Sequence, residues 1–278
     1  MNITLTIALA LIVLLFLRRR SVVNKGYGQM MRATGALRSN LMPVPAYYRE
    51  LLQKYFRYYQ GLSADNKAIF ERRVCRFMYS KQFIPRGGMK EVPVEVKLFV
   101  AATAVQITFG LPNVQLTHFN KILIYPDNYY STITQRYHKG EVNPAFGIIV
   151  LSMKNFMKGF LYGEDGVNLG LHEMAHALRI ENIVRQEYAF FDQPLLERFD
   201  RISERLCAEG AVGEGSIFRP YACTNLHEFF SVAVENFFER SVQFKMELGE
   251  LYNIMVRLLK QDPILLQVNP LTPSATTA

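Results

Sequence analysis

The sequence predicts an α+β fold, mostly helical with a small mixed sheet, behind an N-terminal transmembrane helix. Three observations predict it. Over most of the chain, apolar residues recur at spacings of three and four, the period of a helix with one buried face. Two short β-branched runs, residues 122–125 (ILIY) and 146–151 (FGIIVL), read as strands. Residues 3–17 are almost unbroken apolar sequence, followed at once by Arg18, Arg19 and Arg20.

The apolar run is short for a span, but its charge lies behind it. A secretory signal carries the charge in front. The segment therefore reads as an uncleaved anchor, residues 1–20. The positive-inside rule places the rest of the chain on the cytoplasmic side of the inner membrane, as a single-pass protein. Residues 21–45 are polar, basic and glycine-containing and read as a juxtamembrane linker closed by Pro43 and Pro45. Residues 46–265 form the folded domain, and 266–278, rich in Pro, Ser, Thr and Ala, a disordered tail.

Within the domain, Tyr48, Leu51, Leu52, Tyr55, Phe56 and Tyr59 open a helical stretch over 46–78, broken at Gly61-Leu62-Ser63 with Ser63 as the next cap. Residues 84–88 read as a turn, 92–110 as a long apolar helix, and 167–180, 194–208, 226–239 and 243–259 as further helices.

The 278 residues are 50% hydrophobic and 20% charged, a globular composition. The net charge of +8 is scattered apart from the three arginines, and no nucleic-acid-binding motif accompanies it, so no nucleic-acid partner is expected. Cys75, Cys207 and Cys223 form no CxxC pair and no even framework. They point to a reducing compartment, each as a small buried apolar residue.

The chemistry lies in Leu171-His172-Glu173-Met174-Ala175-His176. On a helix, residues four apart share a face, so both imidazoles reach one Zn²⁺. Glu173, next to His172, is placed to take a proton from a water at that site. With 5 His in 278 residues, a chance HExxH is expected in well under about one such chain in a hundred. Leu169, Leu171, Ala175 and Leu178 make the helix apolar, and two histidines on a buried helix need a reason. Two histidines still leave a tetrahedral site short of a protein ligand. Glu228 and Glu235, two turns apart on LHEFFSVAVENFF, share a face that would be expensive to bury unpaired. One suits a ligand and the other a partner to a ligand histidine, and spacing does not rank them. His227 is a third candidate, read as a partly exposed residue at the helix start.

In order along the chain stand Phe83-Ile84-Pro85, the Ala-rich run 100–105, Ile124-Tyr125-Pro126, Gly147 before Val150-Leu151-Ser152, Asn168 before the HExxH helix, Tyr221-Ala222, and Glu228-Phe229-Phe230 with Glu235. This order resembles the Mlc-titration-factor (MtfA) zinc peptidases, whose core is similar to the lethal-factor-type gluzincins. The resemblance implies a zincin-like metallopeptidase domain holding one Zn²⁺ on His172, His176 and Glu228. It implies Glu173 as the catalytic base, Tyr221 as a hydrogen-bond donor near the metal, and Glu235 as the carboxylate that steadies a ligand histidine. It also implies a peptide or protein substrate, or, for a non-catalytic relative, a transcriptional regulator such as the repressor Mlc as binding partner. Two positions depart from the family: Arg179 stands where it usually has Asp, and Met153 where it often has Trp. The strand at 146–151 is the expected sheet edge, to which an extended peptide would add by β-augmentation.

Overall fold

The computed structural model describes residues 44–268 apart from 113, 132–134, 162–164, 187–188 and 266. The expected anchor, nearly all of the linker and all but the start of the tail lie outside these residues. Among the described residues no helix is long and apolar enough to cross a membrane.

The domain opens with helices α1 (Ala46–Tyr55), α2 (Arg57–Gln60) and α3 (Ala64–Ser80). The expected break is present, and Ser63 caps α3 by accepting from the Asn66 N–H at 3.3 Å. A short strand β1 (Gln82–Pro85) occupies part of what reads as a turn. Four residues containing a proline carry too little alternation to announce a strand. Helix α4 (Val94–Thr108) is apolar all round and buried along nearly its whole length, as a helix without a polar face must be.

Strands β2 (Lys121–Tyr125), β3 (Tyr129–Ser131), β4 (Arg136–His138), β5 (Gly140–Asn143) and β6 (Ile148–Ser152) come next. The main sheet has the order β1-β2-β6-β5. Strands β1, β2 and β6 run parallel, and β5 is antiparallel to β6. This corrects the expected edge. Strand β6 pairs on both sides, with β2 and with β5. Its residues Ile149, Val150 and Leu151 are all buried. A continuous apolar run marks an interior strand, not a rim with one wet face. The edges are β1 and β5, neither of which the sequence announced as a strand.

The rest is helical: α5 (Met153–Leu161), α6 (Leu169–Val184), α7 (Gln193–Ala208), a 3-10 turn (Pro220–Thr224), α8 (Leu226–Glu239), α9 (Ser241–Glu247) and α10 (Gly249–Leu259). The last expected helix is thus two, parted at Leu248 ahead of Gly249. Helix α6 packs against α8, α4 and β5. Aromatic rings fix how α8 is turned: Phe229 and Phe230 meet Phe199 of α7 at 5.9 and 5.6 Å, and Phe218 lies 5.3 Å from Phe229. Full burial of each such ring is worth roughly 2–3 kcal/mol, so rotating α8 about its axis is costly.

The cysteine reading needs a second correction. Cys75 is buried and free, but Cys207, at the end of α7, and Cys223, in the 3-10 turn, form a disulfide. Cys223 is exposed and Cys207 half-buried. The pair lies sixteen positions apart in sequence, and only the fold brings them together.

Candidate metal centre

Two asparagines start the two helices that meet at the site. Asn168 caps α6 by accepting from Leu171 N–H at 3.0 Å, and Asn225 caps α8 by accepting from His227 and Glu228 N–H at 2.9 and 3.0 Å. A capped first turn has its orphan N–H groups satisfied, so it is rigid. His172 and Glu228 project from these early turns.

The three side chains converge. The Nε2 atoms of His172 and His176 are 3.1 Å apart, and they lie 3.1 and 3.4 Å from Glu228 Oε2. The imidazole planes are nearly perpendicular, at 86°. Glu228 Oε2 is buried and makes no hydrogen bond of acceptable geometry. Donor atoms held about 2.0–2.1 Å from a tetrahedral ion sit roughly 3.3 Å from one another. The spacing here therefore suits the edges of a coordination polyhedron, and the residues fit a metal ion. Among the described residues no other group of three His, Cys, Asp or Glu is so placed.

The three side chains are also electrostatically coupled. Burial opposes charge on His172, yet the carboxylates of Glu228 and Glu235 beside its ring push its pKa up to about 10. Burial would raise Glu228, but His172 and His176 hold it well below the usual carboxylate range.

Glu173 lies beside the three donors and not among them. It is buried, and burial pushes its pKa up to about 7, opposed by His172 and assisted by Glu228, Glu235 and Glu141. Strand β5 passes directly over it: a Cβ added at Gly140 would fall 2.4 Å from Glu173 Oε1. Glu235, fully buried on α8, meets His172 Nδ1 at 2.7 Å through Oε1. Tyr221, on the 3-10 turn, is half-exposed, with its ring 6.1 Å from that of His172. Its hydroxyl hydrogen-bonds Glu228, and burial, then that carboxylate, raises its pKa to about 12, so it remains a donor.

The other sequence candidates fall outside this cluster. His227 is part-buried at the second position of α8, its pKa lowered by burial and by Arg179. Arg179 itself is buried and bonds both oxygens of Asp200 at 2.7 Å, so its charge is balanced from α7. Sequence reasoning missed Arg219 and Gly140. Neither sits in a motif, and both reach the site from loops or short strands.

A profile of the glucose-regulated metallo-peptidase M90 family matches residues 29–260. The chain is 24% identical over 245 residues to a Synechocystis protein bearing the name "Uncharacterized protein slr2042", covering 80% of this chain and 86% of that one. It is also 24% identical over 213 residues to the Mlc titration factor A of Yersinia pestis, covering 68% of this chain and 75% of the relative. The Yersinia pseudotuberculosis protein of the same name matches equally. With most of its length matched, the chain belongs to the glucose-regulated metallo-peptidase M90 family.

Proposed function

We propose that this chain is a zinc-dependent peptidase in which His172, His176 and Glu228 hold one Zn²⁺ and Glu173 is the general base. The convergence of two imidazole nitrogens and one unsatisfied carboxylate oxygen, with a separate buried carboxylate beside them, carries the reading.

Zinc bound there supplies Lewis acidity, making water more acidic and the scissile carbonyl more electrophilic. Glu173 removes a proton from the attacking water as its oxygen bonds to the carbonyl carbon. It then delivers that proton to the departing amine as the C–N bond breaks. A base whose pKa lies near 7 suits both transfers. The Tyr221 hydroxyl turns from Glu228 to the carbonyl oxygen as negative charge grows there. Glu235 holds the Nδ1 proton of His172 and so keeps Nε2 free for the metal. The free side of β5 offers backbone groups to an extended peptide, laid across Glu173.

The name of the Yersinia relatives supports a regulator such as Mlc as a protein partner. The purely non-catalytic reading gains nothing from Glu173, which binds no metal. The apolar run at 3–17 supports a membrane tether, with Arg18, Arg19 and Arg20 favouring the cytoplasmic side. The Cys207–Cys223 bond pulls the other way, since a reducing compartment opens such bonds. Thiol labelling of intact cells decides the side.

Metal analysis joined to a peptide-library digest tests the enzyme. The wild type and Glu173→Gln should both carry zinc, and only the wild type should cleave. Cleavage by Glu173→Gln would remove Glu173 as the base. A wild type without stoichiometric metal would remove the whole reading.

A further inference from the structure

Arg219 precedes the 3-10 turn and belongs to no motif, yet its guanidinium reaches into the support of the metal centre. Its Nη2 donates to Glu235 Oε1 at 2.7 Å, the same oxygen that meets His172 Nδ1, and lies 3.5 Å from that nitrogen. Its Nη1 donates to Glu235 Oε2 at 3.2 Å and to the Gly166 carbonyl at 2.8 Å. The guanidinium thus ties together the loop before α6, the carboxylate on α8 and, through Glu235, the first histidine of the HExxH helix. Its central carbon lies 5.8 Å from the centre of the Tyr221 ring, two residues on.

The carboxylate it grips is almost wholly buried, at 1% exposure. A buried charge persists only where it is paired and its oxygens are bonded. Glu235 has four such donors: the Asn168 N–H, the His172 ring and the two arms of Arg219. Removing Arg219 takes away the two that act from the side. The carboxylate then keeps one donor on each oxygen, the Asn168 N–H and the His172 ring, and loses the two that hold its plane against His172 Nδ1 and balance its charge.

We infer that Arg219 is a positioning residue for the metal centre: it locks the Glu235 carboxylate against His172 Nδ1 and thereby sets the tautomer that presents Nε2 to the metal. The role requires a planar fork. A lysine supplies the charge but not two parallel donors at fixed spacing. This inference rests on the reading of His172, His176 and Glu228 as metal ligands.

Competitive zinc titration against a chromophoric chelator, on the metal-free full chain, tests it for wild type, Arg219→Ala and Arg219→Lys. Loss of the outer partner of a ligand histidine typically weakens metal binding about 10- to 100-fold; Arg219→Ala leaves that partner, Glu235, in place, so the expected loss is at the lower end, about 10-fold. Arg219→Lys should recover only part of it, and free guanidinium added to the alanine variant should restore most of it. Nitrogen-15 spectra of the histidines should show His172 protonated at Nδ1 in the metal-free wild type at high pH, and mixed tautomers in Arg219→Ala. If the alanine variant does not fold, Arg219→Lys carries the same two readouts. Unchanged zinc affinity overturns the inference. So does weakened affinity with the His172 tautomer intact and no guanidinium rescue, because that outcome marks a general packing role. A wild type that binds no zinc sinks the metal reading itself. A wild type that binds zinc beside variants that match it leaves the metal reading standing and removes Arg219 alone.

Discussion

Gly140 and Glu173 touch in a way that leaves no room for a side chain: a Cβ on the strand would stand 2.4 Å from Oε1 and 2.7 Å from Cδ and Cγ. The edge strand and the proposed base are thus built to one clearance. Gly140→Ala should push Glu173 aside, lowering kcat while leaving zinc content unchanged. Overpacking of this kind costs about 1–3 kcal/mol, so a lowered melting temperature should accompany it. Wild-type turnover in Gly140→Ala would show that the contact is irrelevant to the chemistry.

Tyr221 offers a cleaner separation of binding from chemistry. Its hydroxyl is the only part that Tyr221→Phe removes, and the half-exposed ring keeps its packing. Loss of a donor to developing oxyanion charge typically lowers kcat by about 10²–10³-fold, and a drop of about 100-fold with little change in zinc affinity is expected. Steady-state kinetics beside a zinc titration checks both. A variant with normal kcat and weakened zinc would move Tyr221 from catalysis to support of Glu228.

Glu239 makes stability depend on pH. Burial pushes its pKa up to about 7, opposed by the hydrogen bond from Asn168 and reinforced by Glu235 and Asp165. In the unfolded chain a glutamate titrates near ~4.3. The folded state therefore holds the proton more tightly, and its contribution to stability is full below ~4.3 and lost as pH rises towards 7. Glu239→Gln removes that slope. In denaturant unfolding, the variant should gain on the wild type between about pH 4.5 and 7 by roughly 3 kcal/mol, and by little more at higher pH. A constant difference across that range would refute the assignment.

The Cys207–Cys223 bond closes a loop that contains Arg219 and Tyr221. Cross-linking a loop of this length stabilises by roughly 3 kcal/mol in the chain-entropy account. Cys207→Ser, or reduction, should lower the melting temperature and reduce turnover through Tyr221. Differential scanning calorimetry with and without reductant reads the first effect. Equal curves would mean that the bond carries no stability.

The sequence revealed the long, strongly periodic elements and the donors they carry. Helix α8 has the expected bounds, and helical spacing places His172 and His176 on one face of α6, while the packing of α8 on α6 brings Glu228 beside them. It was weaker where order comes from distant pairing. Strand β5 reads Gly-Glu-Val-Asn and becomes a strand only because β6 lies beside it. Arg219 acts on Glu235 from sixteen residues away, and Cys207 meets Cys223 across an irregular segment. Such relations are fixed by tertiary structure, and no local pattern records them.

The rim that β5 leaves open has a consequence of its own. Its backbone groups do not distinguish a substrate from any other extended chain, so any strand that docks there would compete with a peptide for the same edge. Crowding of copies along this rim would compete directly with turnover, and specific activity should then fall as protein concentration rises.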